Sequence, residues 1–112
     1  MLYNFPFMKE QLADEWGRRL SFCPKPKIAG LCNYEKKEIT IFMKRKKNRD
    51  PRELLDTLIH EEIHALLPDL PEKKTKISAK KVIGELTMDQ IGYFFSLYGI
   101  AFDQEPVLET GI

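Results

Sequence analysis

Between Asp50 and Pro68 the chain spells out a helix with both ends marked. Asp50 is a good N-cap. Pro51 then falls at the first helical position, where its missing N–H costs nothing. Glu53 follows three residues after the cap, a capping-box arrangement with Asp in place of Ser or Thr. At the other end Pro68 disfavours helical geometry in the residue before it. The spacing predicts a helix from Pro51 to about Leu67. Leu54, Leu55, Leu58, Ile59, Ile63, Leu66 and Leu67 make it strongly apolar, so the rest of the chain must pack around it.

The 112 residues, 43% hydrophobic and 31% charged, suffice for one domain, expected over 1–102, and leave no room for two. Upstream, Pro6 opens a predicted short helix with Met8, Leu12, Trp16 and Leu20 on one face, stopped by Pro24 and Pro26. Two strand-like segments follow, Lys27 to Tyr34 and Glu38 to Met43, joined through Glu35, Lys36 and Lys37. Ile39, Ile41 and Met43 share a face of the second. They predict an antiparallel hairpin. Pro68 to Lys76 reads as a connection. A final helical region is expected from about Ser78 to Leu97, with Val82, Leu86, Ile91, Phe94, Phe95 and Tyr98 on its apolar side and Gly84 as a dividing point. The acidic segment Asp103 to Ile112 is expected to be a poorly ordered tail. The expected fold class is α+β: a short antiparallel sheet packed against the central helix and a C-terminal helix.

Eighteen Lys and Arg against 17 Asp and Glu give a net charge of +1. That argues against a strongly basic nucleic-acid module or an acidic disordered chain. The apolar stretch Ile91 to Phe102 is interrupted by Gly92, Ser96 and Gly99 and falls short of a membrane span. Met1 to Met8 shows no basic start followed by an apolar run. The expectation is a cytoplasmic protein with no membrane partner, and with Cys23 and Cys32 as free thiols.

The chain has two histidines, and both lie in His60-Glu61-Glu62-Ile63-His64, an H-E-x-x-H string inside the capped helix. Positions i and i+4 lie about 40° apart around a helix, so two imidazoles can reach one zinc ion. Glu61 lies about 100° from His60 and can reach a water on that metal, take its proton and pass it to a leaving group. Two histidines on a solvated helix face are the bland alternative. The cap, the apolar flanks and the lack of any other histidine weigh against it.

The string from Leu54 through His60-Glu61-Glu62-Ile63-His64 to Leu70 resembles the active-site helix of small zincin metallopeptidase domains. These are the SprT-like and minimal gluzincin-like proteins often encoded by phages and bacteria as short single domains. The resemblance covers Asp50 to Leu70 and, more loosely, the strand Glu38 to Met43. It implies zinc held by His60 and His64 with Glu61 as general base. The metzincin pattern is excluded, because Leu67 and Leu70 stand where it has Gly and a third His. The SprT-like third His is missing too, and Cys23 and Cys32 form no C-x-x-C pair for an accessory zinc ribbon.

With no histidine left, the third ligand must be a carboxylate or, less readily, a thiolate. Glu85, Glu72 and Asp69 compete. Glu85 is favoured, 21 residues after His64 in the final helical region, since gluzincins place a Glu on a separate following helix. Glu72 precedes Lys73, Lys74, Thr75 and Lys76, which show no apolar face to hold a ligand rigidly. Asp69 follows Pro68 and also reads as a turn residue. Asp89 would orient a ligand histidine, with Met88 and Gly92 near the same face.

The basic run Lys44, Arg45, Lys46, Lys47 and Arg49 reads as a solvated loop or as a weak nucleic-acid contact, extended by Lys73, Lys74, Lys76, Lys80 and Lys81 if the loops converge. Tyr34, Tyr93 and Tyr98 are candidates to polarise a carbonyl. The expected function is a zinc-dependent metallopeptidase acting on peptide or protein substrates. Its rivals are a non-catalytic binding module on a zincin scaffold and a zinc hydrolase of a non-peptide amide.

Overall fold

The computed structural model describes residues 16–101. The predicted helix positions Pro6, Met8 and Leu12 and the tail 103–112 lie outside that range. The described chain forms a small α+β fold: a three-stranded mixed sheet, a short 3-10 helix and three α-helices. The strands are β1 (Gly17–Ser21), β2 (Gly30–Asn33) and β3 (Glu38–Phe42). The helices are α1 (Pro51–Leu66), α2 (Glu72–Glu85) and α3 (Met88–Leu97), and the 3-10 helix is Lys46–Arg49.

The hairpin of β2 and β3 is antiparallel as expected, with Cys32 opposite Ile39 and Gly30 opposite Ile41. Two expectations need correction. Gly17–Ser21 is a strand rather than the end of a helix. It also pairs parallel to β3, with Arg18 beside Ile39 and Leu20 beside Ile41, so the sheet is mixed and β3 is its centre. The cause of the misreading is arithmetic. A step of four between Trp16 and Leu20 fits a helical face and also fits the two-residue period of a strand. Here the strand wins, and Arg19 turns outward between half-buried Arg18 and Leu20.

Ile39 and Ile41 are fully buried and face α1, where Leu58, Ile59 and Ile63 are also fully buried. The helix is capped as its sequence requires. Asp50 Oδ2 accepts a bond from the Glu53 N–H at 3.1 Å, and Pro51 occupies the first turn. The helix stops before Pro68, with the Leu67 N–H donating to the Ile63 carbonyl at 2.7 Å.

The segment beyond Pro68 is not a long connection. α2 begins at Glu72 and runs 14 residues. Its buried stripe is Thr75, Ala79 and Val82, small side chains at helical spacing that let it lie close to α1. The Thr75 hydroxyl donates to the Pro71 carbonyl at 3.0 Å and ties down the first turn. The helical region is divided as expected, but at Leu86–Thr87 rather than at Gly84. There Thr87 and Gln90 form a reciprocal capping box, with bonds of 3.2 and 2.9 Å. α3 ends in a Schellman motif in which Gly99 takes the left-handed conformation (φ 71°) and Ile100 N–H donates to the Phe95 carbonyl at 3.0 Å. No helix of the described residues is long and apolar enough to cross a membrane.

Two polar groups tie these layers together. Glu62 is 1% exposed. It accepts from Arg18 Nε at 2.8 Å and Nη2 at 2.9 Å, and from the Tyr98 hydroxyl at 2.6 Å, which links β1, α1 and the end of α3. Asn48 is buried in the 3-10 helix. Its amide donates to the carbonyls of Ala29 and Phe42, both at 3.0 Å, and accepts from the Thr57 hydroxyl at 2.6 Å.

Candidate metal centre

His60 and His64 stand one turn apart on α1, half-buried, with their rings edge to face at 4.6 Å between centroids. Their Nε2 atoms are 3.0 Å apart. The carboxylate that meets them is Glu72, from the first turn of α2. Its Oε1 is 2.8 Å from His64 Nε2, and its Oε2 is 3.1 Å from His60 Nε2. A tetrahedral ion with bonds of about 2.0–2.1 Å spaces its ligand atoms by about 3.3 Å. The ligand atoms of the three residues, one from each, all lie within 4.8 Å of one another, close enough to be drawn onto one ion by small side-chain adjustments. Two imidazoles and a carboxylate are also a chemically suitable set for zinc. His60, His64 and Glu72 form a group that can hold a metal ion.

Glu85 does not join them. It lies exposed at the opposite end of α2 from Glu72, roughly 20 Å away along the helix axis. Asp69 is exposed in the turn after α1, and Asp89 is exposed in the first turn of α3; neither belongs to the group. The sequence ranks Glu72 behind Glu85 because the helix of Glu72 is anchored by Thr75 and Ala79 rather than by large apolar residues. A Thr–Ala–Val stripe at 75, 79 and 82 was the sequence cue.

Glu61 lies beside the histidines in the same cleft, 7% exposed. Burial pushes its carboxyl pKa up, a shift opposed by the hydrogen bond from Cys32 and by the charge of His64. Cys32 is half-buried on β2, with Sγ 3.2 Å from the Glu61 carbonyl and 3.4 Å from Oε1, so its S–H has two acceptors on one residue. Burial and the neighbouring Glu61 keep that thiol protonated far above its ordinary range. Burial lowers the pKa of His60, against the pull of Glu72, which favours the neutral imidazole a metal needs.

Gly30 completes this contact. A Cβ placed there would stand 2.7 Å from Glu61 Cγ and 2.9 Å from Oε2. Only glycine lets β2 approach the Glu61 side chain this closely. Cys32 and Gly30 were missed because their partner lies on a helix some thirty residues downstream. Gly30 in a strand was itself a hint of close approach.

The cleft holds about 680 Å³ between β2 and the two helices. Of the three candidate tyrosines, Tyr34 reaches it and donates its hydroxyl to the His64 carbonyl at 2.9 Å. Tyr98 is buried against Glu62, and the Tyr93 ring packs edge-on to Phe94. The basic run does not form one face. Arg45 and Lys47 line this cleft, Asn48 is buried, and Lys44 and Arg49 line a second cavity with Phe22 and Met43. Cys23 and Cys32 are free thiols, as expected. Compared with known protein families, curated proteins and solved structures, the chain gives no match.

Proposed function

We propose that this chain is a zinc-dependent metallopeptidase of minimal zincin type, with His60, His64 and Glu72 as ligands and Glu61 as general base. The observation that carries the reading is that His60, His64 and Glu72 bring their ligand atoms together beside the buried carboxylate of Glu61. His60, His64 and Glu72 would hold the zinc, which when bound would supply a water of lowered pKa and polarise the carbonyl of the bond to be cut. Glu61 accepts the proton and returns it to the departing amine. Burial raises its proton affinity above that of a free carboxyl, the direction that helps a carboxylate take up a proton. Cys32 donates to the Glu61 carboxylate, and Gly30 leaves room for that side chain beside β2.

β2 lies at the edge of the sheet and its residues line the cleft. An extended substrate chain can add to that edge through its backbone, which presents one peptide bond after another to the histidines.

The test combines metal analysis with turnover. Purified protein should bind about one zinc per chain and cleave an unfolded protein substrate in a chelator-sensitive manner. Glu61→Gln should lower the rate about 10²–10⁴-fold while zinc stoichiometry and the circular-dichroism spectrum stay as they are. Protein that takes up no zinc under non-chelating conditions would falsify the reading. Zinc uptake without cleavage of any polypeptide would favour a binding module or a hydrolase of a non-peptide amide.

A further inference from the structure

The cleft is lopsided in charge. α1 and α2 run in opposite directions, since Glu72 lies against His64 while Lys80 Nζ lies 3.9 Å from Asp56, two turns of α1 earlier. Lys76 and Lys80 follow Glu72 at intervals of four along the helix face that borders the cleft. Lys47 reaches Asp56 at 2.7 Å, and Arg45 and Lys27 close the same end. Five exposed cations thus gather at one end. Among the described residues, the one further carboxylate lining the cleft besides Glu61 and Glu72 is Asp56, shared between Lys47 and Lys80, and Lys47 also meets Glu53 at 3.6 Å. The other end, where Tyr34 meets His64, has no such cluster among the described residues.

We propose that this end of the cleft selects acidic peptide segments, with Asp or Glu a few residues to one side of the bond held at His60, His64 and Glu72. This names the substrate class of the metallopeptidase proposed above and rests on it. The register follows from helix and strand geometry. Lys76 and Lys80 lie about 6 and 12 Å from Glu72 along α2. An extended peptide advances about 3.3 Å per residue. The matching carboxylates therefore fall near the second and fourth residues from the cleaved bond. A cleft with low-dielectric walls and one sign of charge concentrates the opposite sign. A phosphate backbone fits less well: it needs a continuous basic track, and here buried Asn48 and the second cavity break the run.

The test uses the full chain carrying Glu61→Gln and three fluorescent peptides that differ only in placement of two Glu residues: before the central bond, after it, or replaced by Gln. Anisotropy should show one of the two acidic peptides binding about tenfold more tightly than the Gln peptide, two to three partly exposed ion pairs being worth about that much. The preference should shrink in high salt and fall to near parity in Lys76→Gln/Lys80→Gln. Equal binding of all three peptides overturns the proposal, as does equal binding of both acidic ones. A single-stranded oligonucleotide of matched charge that binds more tightly than the better acidic peptide overturns it in favour of nucleic acid. Cleavage by the unmodified chain is read separately. A selective binder that cuts nothing keeps the ligand class and sinks the peptidase.

Discussion

Glu61 and Glu62 are neighbours on one helix, yet their surroundings treat them in opposite ways. Glu62 is sealed between Arg18 and Tyr98, and its oxygens take three bonds. Glu61 borders the open cleft and, among the described residues, has the weak S–H donor of Cys32 to hold its side chain. A carboxylate that holds the fold together is paired and buried. One that borders an open cleft is left with a weaker donor and a raised affinity for hydrogen. The contrast extends across the helix: one flank is a closed polar knot, the other carries His60 and His64 beside the cleft, where they meet Glu72.

The largest effect should come from opening the knot. Arg18→Ala strands a buried carboxylate and should cost about 3–5 kcal/mol, seen as a lower urea midpoint with little change in slope. Replacing the group together, as Arg18→Met, Glu62→Leu and Tyr98→Phe, should recover most of that loss. A triple variant as unstable as the single one would show that the knot does more than satisfy its own charges.

The open flank should respond to metal instead. Zinc at a hundred times its dissociation constant should stabilise the native chain by about 2.7 kcal/mol, read as a rise in thermal midpoint that a chelator reverses. Glu72→Ala should abolish most of that rise, and Glu85→Ala should leave it intact. The reverse pattern would remove Glu72 from the site. Gly30→Ala comes next. Its methyl meets Glu61 Cγ and should cost about 1–3 kcal/mol through overpacking, with a larger loss of turnover than of zinc affinity. The smallest effect should be Cys32→Ser, which keeps a donor beside Glu61. Its stability should change by about 1 kcal/mol or less, and turnover should stay within a few-fold.

The same contrast governs what the sequence reveals. α1, its cap, its stop and the His60–His64 pair are local features, separated by four residues or fewer, and all are legible. The hairpin is legible because its strands are neighbours in sequence, with alternation in the second and a short turn between them. The Arg18–Glu62 pair joins residues 44 apart, and no local pattern announces it. β1 was read as helix because Trp16 and Leu20 satisfy both periods. The third ligand was placed on Glu85 because large apolar residues were taken as the mark of a rigid support. Glu72 is held instead by Thr75 and Ala79, whose small size lets α2 approach α1. Thr87 and Gln90 did spell a helix start, and they outranked Gly84 as the dividing point.

Asn48 carries a last consequence. One amide touches the backbone just before β2, the end of β3 and a hydroxyl on α1, one turn ahead of His60. It therefore works as a gauge block between strand and helix. The spacing of β2, β3 and α1 at this point is matched to the length of that single side chain. Asn48→Gln, one methylene longer, would press strand and helix apart and should cost about 1–3 kcal/mol.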